Sequence, residues 1–244
     1  MATELEQRVL AVHAARPGFT SRGFERSGSY DRLAAAVPAG ARVLDLACGD
    51  GALLSRIPGA IGVDLSPHEL ALASGMVVRA RAQALPFADR SFDVVTCHLA
   101  LMLFDDLEQV MHELDRVLAP GGSVLAVIGG GPVAEPIDDV FPVFLDHLKG
   151  CANVLPLERP DWSHVFAGWC VAPWERHELV LDGTFDEVWP FLAACYELPA
   201  DSRALRAEVA FEGHVRCRAV TWLVRARSVG HLRLLGVASQ DCPR

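Results

Sequence analysis

Between residues 41 and 130, short apolar segments alternate with segments that have the periodicity of helices. This alternation is typical of a parallel sheet whose strands are joined by right-handed helical crossovers. The candidate strands are at 42–47, 60–65, 77–81, 92–98 and 123–129, and the candidate helices are at 51–57, 67–75 and 106–118. The pattern therefore predicts an α/β fold built on a mostly parallel sheet.

Composition excludes several kinds of partner. The net charge is −9 and the chain has no dense basic run, which argues against nucleic-acid binding, because that binding requires phosphates to be neutralised. No run of about 18 apolar residues is present, so we expect no membrane span. The seven cysteines are scattered without a Cys-x-x-Cys pair, so we expect reduced thiols in a cytoplasmic protein and no metal site.

The first candidate strand ends in a glycine-rich turn. Asp45 interrupts its apolar residues, and the strand runs into Gly49-Asp50-Gly51. Glycines are required in such a turn when a ligand approaches the backbone closely. An ordinary strand–helix turn can have the same glycines, so this pattern alone leaves both interpretations open.

A second carboxylate favours the interpretation of this turn as a ligand-binding turn. Asp64 lies nineteen residues after Asp45, at the end of the next candidate strand. In doubly wound folds, an acid at this place accepts hydrogen bonds from the ribose hydroxyls of an adenosine ligand. Ser66 and Pro67 already suit the start of the following helix. Asp64 is therefore predicted to contact a ligand rather than to cap that helix.

Four segments, taken together, resemble the class I S-adenosylmethionine-dependent methyltransferases, and among them the small-molecule type 11 subgroup. They are residues 43–51, 62–66, 84–95 and 116–122, in the order found in that family. The resemblance implies a Rossmann-like fold with seven strands, helices on both faces, and S-adenosylmethionine as the cofactor. A nicotinamide dehydrogenase is less compatible, because its turn has a third glycine where this chain has Leu54.

The resemblance also implies which residues bind the cofactor: Arg22, Asp45, Ala47, Cys48, Gly49, Asp64, Leu65, Ala82, Gln83 and Cys97. The turn would lie along the methionine part, Asp64 would bind the ribose, and Leu65 would pack on the adenine. The Cys97 carbonyl would accept from the methionine ammonium, and Arg22 would pair with its carboxylate. At residue 81, where the family often has an acid that accepts from the adenine amino group, this chain has Arg81.

Two histidines are candidates for catalysis. His98 ends the fourth candidate strand, at the sheet edge where ligands bind, and could act as a base or bind the substrate. His164 lies in a polar turn within an aromatic-rich segment and could contact a planar substrate. The alternatives are a histidine bonded to a neighbouring loop, and aromatic side chains that only pack. The aromatic and histidine residues of this segment are Phe141, Phe144, His147, Trp162, His164, Phe166, Trp169 and Trp174.

We predict one domain over residues 1–244. Its parts are an N-terminal cap, a cofactor-binding core, a substrate lid, closing strands and helices, and a tail, at 1–40, 41–130, 131–176, 177–228 and 229–244.

The predicted function is methylation of nitrogen or oxygen in a small, planar or heteroaromatic metabolite by a monomer or homodimer. The alternatives are a quinone-pathway C-methyltransferase and a non-catalytic module that only binds the cofactor. Met102-Leu103 occupies the place where quinone-type members of the family often have two histidines, which weighs against the first alternative.

Overall fold

The computed structural model describes residues 2–132, 162, 164–195 and 214–230. The strands are β1 (Val43–Leu46), β2 (Ile61–Asp64), β3 (Met76–Arg79), β4 (Phe92–His98), β5 (Leu118–Pro132), β6 (Trp169–Val171), β7 (Glu175–Thr184) and β8 (His214–Ser228). The α-helices are α1 (Glu4–Ala15), α2 (Phe19–Phe24), α3 (Ser29–Ala35), α4 (Pro67–Leu70), α5 (Leu107–Val117) and α6 (Phe185–Cys195).

All eight of these strands belong to one sheet. Its order is β3-β2-β1-β4-β5-β8-β6, and β7 also pairs with β8. Strands β1 to β5 are parallel, whereas β8 runs antiparallel to β5, β6 and β7. The predicted α/β fold with a mostly parallel sheet is confirmed. The described residues include one more strand than the seven expected, because the short β6 pairs with the end of β8.

Two predicted helices are much shorter than expected. The segment 51–57 contains only a 3₁₀ turn at Leu54–Arg56, and α4 ends at Leu70 instead of residue 75. Glycines at the ends of these segments have positive φ, +83° at Gly51, +85° at Gly59 and +114° at Gly75. This backbone conformation is incompatible with a continuing right-handed helix, so the chain turns instead.

The alternating side chains of the strands form a core on each face of the sheet. Leu44, Val95 and Ala126 face a cluster that includes Leu114 of α5. Their neighbours Val43, Val94 and Leu125 face a second cluster that includes Leu33 of α3. No helix among the described residues is long and apolar enough to cross a membrane.

Arg116 connects two of the segments that carried the family resemblance. Its guanidinium donates to the carbonyls of Leu85 and Phe87 at 3.0 and 2.7 Å, and to the carboxylates of Asp89 and Glu113 at 2.8 to 2.9 Å. Glu113 in turn accepts from the Leu85 amide at 2.7 Å. This network attaches the loop before β4 to the end of α5.

The described aromatic residues of the predicted lid belong to the core. Trp162 and Phe166 are buried in the cluster on the α5 face, and Trp169 and Trp174 pack against it. The packing alternative therefore holds for these four side chains. Phe141, Phe144 and His147 lie outside the described residues.

The cysteines only partly match expectation. Cys48 and Cys97 are free and buried. Cys170 is disulfide-bonded, so the expectation that all seven thiols are reduced is wrong at this position. Sequence spacing did not indicate this bond, because no Cys-x-x-Cys pair is present.

Candidate functional site

A cavity of about 160 Å³ lies at the carboxyl ends of the central strands. Open parallel sheets bind ligands at this edge, where the strand order reverses. The lining comes from the ends of four strands, from α1 and from the α2–α3 region; it includes Glu6, His13, Phe24, Tyr30, Asp45, Ala47, Gly49, Asp64, Leu65, Arg81, Ala82, Gln83, His98 and Phe104. Most of the cofactor-binding residues expected from the sequence are therefore brought together here.

The glycine-rich turn forms an open cradle beneath this cavity. Ala47 and Gly49 both have positive φ, +54° and +55°. Among the described residues, a Cβ built on Gly49 would have one neighbour within 4 Å, the Glu69 Oε2 atom at an ordinary van der Waals distance of 3.8 Å. The cradle therefore leaves room for a ligand directly over the backbone.

Asp64 organises the turn as well as lining the cavity. Its Oδ2 atom accepts from the Gly49 amide at 2.9 Å, and its Oδ1 atom accepts from the Ser66 amide at 2.7 Å. The expectation that Asp64 lacks a structural role is therefore wrong. Each carboxylate oxygen has a second lone pair, so the same group can also accept from ligand hydroxyls.

Asp45 lies under the turn, fully enclosed by the sheet. Its Oδ1 atom accepts from the Thr96 hydroxyl at 2.8 Å. Burial and, to a smaller extent, the nearby Asp64 raise the pKa of Asp45 from 3.8 to about 7, against the lowering effect of the Thr96 hydrogen bond. A positively charged ligand above the turn would favour the ionised form.

Glu69 and Asp50 hold the N-terminal segment against the turn. Glu69 is completely buried, and its Oε1 atom accepts from the Gly18 amide at 2.9 Å. Among the described residues, Glu69 Oε2 has no hydrogen-bond partner. Ser21 donates to the Asp50 carboxylate. These contacts place residues 18–21 of the N-terminal cap next to the glycine-rich turn.

Helix α1 also covers the cavity, which sequence reasoning missed. Glu6, Val9, Leu10 and His13 line it. Their spacing places them on one face of the helix, and this periodicity was the available signal. The periodicity shows that this helix has a face that packs against another surface. It does not show that this surface is the cavity and not the core.

His98 lies at the β4 end of the cavity, in contact with two aromatic rings. Its ring centroid is 4.1 Å from that of Tyr30 and 5.5 Å from that of Phe24. Its Nε2 atom is 2.8 Å from the Ser29 hydroxyl oxygen. Burial, with smaller effects of Arg32 and Arg56, lowers the pKa of His98 to about 3, so the imidazole is neutral near pH 7.

Three expected site residues lie elsewhere. Arg22 is exposed, donates to the Pro17 carbonyl at 3.0 Å and does not line the cavity. Cys97 is buried behind the cavity, where β4 pairs with β1 and β5, and the next residue, His98, reaches the lining instead. His164 is exposed in the turn after Trp162 and is also absent from the lining.

Comparison with known proteins agrees with this geometry. Residues 44–126 match the family model described as a methyltransferase domain. Over 122 residues, the chain is 43% identical to a demethylmenaquinone methyltransferase of Thermus thermophilus, covering 44% of this chain and 56% of the relative. It is 34% identical over 127 residues to a ubiquinone/menaquinone biosynthesis C-methyltransferase of Klebsiella pneumoniae, covering 45% and 51%.

Over this region the chain is similar to the class I S-adenosylmethionine-dependent methyltransferases of the type 11 kind. The crystal structure of YcgJ from Bacillus subtilis has the same fold, with a TM-score of 0.59 and 22% identity over 83% of this chain and 97% of that one. The chain spans about half the length of the curated relatives that it matches.

The residues around the cavity fit S-adenosylmethionine, the cofactor of the methyltransferases that this region resembles. The open backbone at Gly49 gives space, and Asp64 provides acceptors for hydroxyl groups. The carboxyls of Asp45, Asp64 and Glu69 lie around the turn, and burial raises the pKa of Asp45 and of Glu69 to about 7, so a bound cation would favour their ionised forms. A sulfonium cation is favoured in such surroundings.

We expect Asp45→Asn to change how the stability of the ligand-free methyltransferase domain depends on pH. The pKa of Asp45 is raised on folding, so its contribution to stability is complete below about pH 4 and is lost as the pH rises through about 7. Asparagine has no such dependence. The stability of the variant relative to the parent should therefore increase by up to about 1.4 kcal/mol per pH unit between pH 4 and 7.

Urea unfolding at pH 5, 6, 7 and 8 measures this difference. Asp89→Asn is the control, because that carboxyl is 71% exposed. A stability difference between Asp45→Asn and the parent that stays constant across this range would contradict the expectation.

Proposed function

We propose that this methyltransferase domain methylates nitrogen or oxygen in a small, planar or heteroaromatic metabolite. The observation that supports it is the extension of the cavity beyond the glycine-rich turn to an end lined by aromatic rings. His98 contacts the rings of Phe24 and Tyr30 at that end. Aromatic walls with a few polar groups are typical of pockets for flat small molecules.

The proposed chemistry relies on positioning. S-adenosylmethionine, when bound, supplies an electrophilic methyl group. The protein holds the acceptor in line, and positioning of this kind can contribute up to about 7–11 kcal/mol to catalysis. Tyr30 packs against His98, and burial raises the pKa of Tyr30 above its ordinary value, so the phenol remains protonated. Both rings are therefore neutral walls at pH 7.

His98 is proposed as a hydrogen-bonding residue for the acceptor. With a pKa of about 3, its imidazole is a weak base, and one ring nitrogen is already near Ser29. The acceptor atom should therefore be nucleophilic without a strong base from the protein. Heteroaromatic nitrogens and acidic aromatic hydroxyls meet this requirement.

Methylation of carbon in a quinone-type ring is the second candidate. Its support is the function of the relatives at 43% and 34% identity, a demethylmenaquinone methyltransferase and a ubiquinone/menaquinone C-methyltransferase. The matched region covers less than half of this chain, and the family-model match at residues 44–126 excludes the N-terminal cap, which contributes Phe24 and Tyr30 to the lining. The sequence similarity therefore supports the assignment of the cofactor-binding core more strongly than it supports a particular substrate.

The non-catalytic alternative is less well supported. A module that only binds the cofactor needs no space beside the turn at the β4 end. The cavity continues there, with Leu99, Ala100 and Leu103 among its lining residues. Open space next to the site of the reactive group favours an enzyme.

Incubation with methyl-labelled S-adenosylmethionine and separate acceptor panels tests the proposal. The panels contain hydroxylated and amino heteroaromatic compounds, and reduced naphthoquinones. We expect a mass gain of one methyl group, with formation of S-adenosylhomocysteine, on the first panel. Transfer confined to carbon in the reduced naphthoquinones would support the second candidate, and cofactor binding without transfer to either panel would support the non-catalytic module.

A further inference from the structure

The strand order determines how the cavity is laid out. Along the sheet edge, the ends of neighbouring strands follow in the order β3, β2, β1 and β4. The corresponding lining residues are Ala80–Gln83 after β3, Asp64–Ser66 after β2, Ala47–Asp50 after β1 and His98–Ala100 after β4. The part of a ligand that lies beyond Asp64, away from the turn, therefore meets the segment 80–83.

Glu6 from α1 is present at this far end. It lines the cavity, and its side chain is only 10% exposed. Its Oε1 atom accepts from Arg81 Nη2 at 2.7 Å, and its Oε2 atom accepts from the Thr3 amide at 2.9 Å. A carboxylate held by an ion pair and a backbone amide is oriented before any ligand arrives, and each oxygen can still accept another hydrogen bond.

The chemistry of this corner suits an aromatic amine. Leu65 and Ala82 provide apolar contacts, whereas Glu6 and Arg81 present an acceptor and a donor next to each other. Adenine has the complementary arrangement, since its 6-amino group donates and its adjacent ring nitrogen accepts. If the cofactor ribose is bound by Asp64, as the proposed function requires, the adenine reaches this corner.

We propose that Glu6 is a specificity-determining residue that accepts a hydrogen bond from the 6-amino group of the cofactor, with Arg81 orienting its carboxylate. The acceptor at this edge of the adenine is then contributed by the N-terminal helix rather than by the segment after β3. This also assigns a role to Arg81, which cannot itself accept a hydrogen bond. Helix α1 becomes part of the binding site as well as its cover.

Calorimetric binding of two cofactor products tests the proposal. S-adenosylhomocysteine has the 6-amino group, which donates hydrogen bonds. S-inosylhomocysteine has a 6-oxo group at the same position, and this group, like the Glu6 carboxylate, accepts hydrogen bonds. We expect the parent protein to prefer the amino compound by at least about tenfold, and Glu6→Gln to reduce that preference severalfold. Glutamine is also compatible with the capping box that Glu6 forms with Thr3, so the helix start is retained.

Glu4→Gln is the matched control, because it removes the same charge from an exposed position in the same helical turn. It should leave the preference unchanged. If Glu6 serves only to anchor α1, Glu6→Gln will lower the affinity for both compounds equally. That result overturns the inference while leaving the proposed function intact. If the parent protein binds neither compound, both the inference and the proposed function fail.

Discussion

Replacement of Asp64 by asparagine is expected to lower the affinity for S-adenosylhomocysteine by at least about 100-fold. The carboxylate is predicted to accept two ribose hydroxyls, and each hydrogen bond to a charged group contributes about 1.5–3 kcal/mol. It also accepts from the Gly49 and Ser66 amides, at 2.9 and 2.7 Å. An asparagine amide group can accept with only one of its two ends, so the turn should also lose its geometry.

Isothermal titration of Asp64→Asn measures the loss, with Asp89→Asn as the control. Asp89 has the same side chain, is exposed and does not line the cavity. Circular dichroism should show that Asp64→Asn remains folded, with a loss of unfolding free energy of about 1–3 kcal/mol from the disturbed amide contacts. An affinity within threefold of the parent value would contradict the assignment of Asp64 to the ribose.

Gly62→Ala is expected to destabilise the fold by about 1–3 kcal/mol, through overpacking beneath the glycine-rich turn. A Cβ at Gly62 would lie 2.6 Å from Cys48 Sγ and 2.8 Å from Leu54 Cδ1. Both neighbours are buried, at 8% and 7% exposure, so neither can move into solvent. Because Cys48 belongs to the cofactor cradle, its displacement should weaken S-adenosylhomocysteine binding as well.

Differential scanning calorimetry should show a fall in Tm of about 2–4 °C for each kcal/mol lost. Gly230→Ala is the control, because among the described residues the Cβ built there meets Ser228 Oγ alone, at an ordinary 3.5 Å. Equal melting temperatures for Gly62→Ala and the parent protein would show that β2 and the turn can separate without cost.

The parts of the fold that were predictable are those with a local signal. The alternation of apolar segments predicted the five parallel strands. Asp45 and Asp64, which were predicted to lie at the binding site, both line the cavity. The helices at 51–57 and 67–75 were predicted too long, because the positive φ of Gly51 and Gly75 depends on how each segment returns to the sheet. Propensity alone does not determine such a path.

The lid prediction was limited by a different cause. Aromatic residues dispersed along 162–174 are compatible with a substrate pocket or with a core, since both are apolar. Pairing of β6 with β8 brings this segment onto the α5 face, and its side chains are buried there. The rings at the β4 end of the cavity come instead from Phe24 and Tyr30, in the N-terminal cap.

The amino-acid sequence by itself determined the order of strands along the chain, the glycine-rich turn and the two carboxylates beside it. Each depends on neighbouring residues or on a fixed register between adjacent strands. Only the tertiary structure decided that Glu6 pairs with Arg81, that Glu69 binds the Gly18 amide, and that Cys97 is excluded from the cavity. Contacts between residues 50 to 75 positions apart depend on how α1 packs over the sheet edge, and local sequence patterns do not encode that packing.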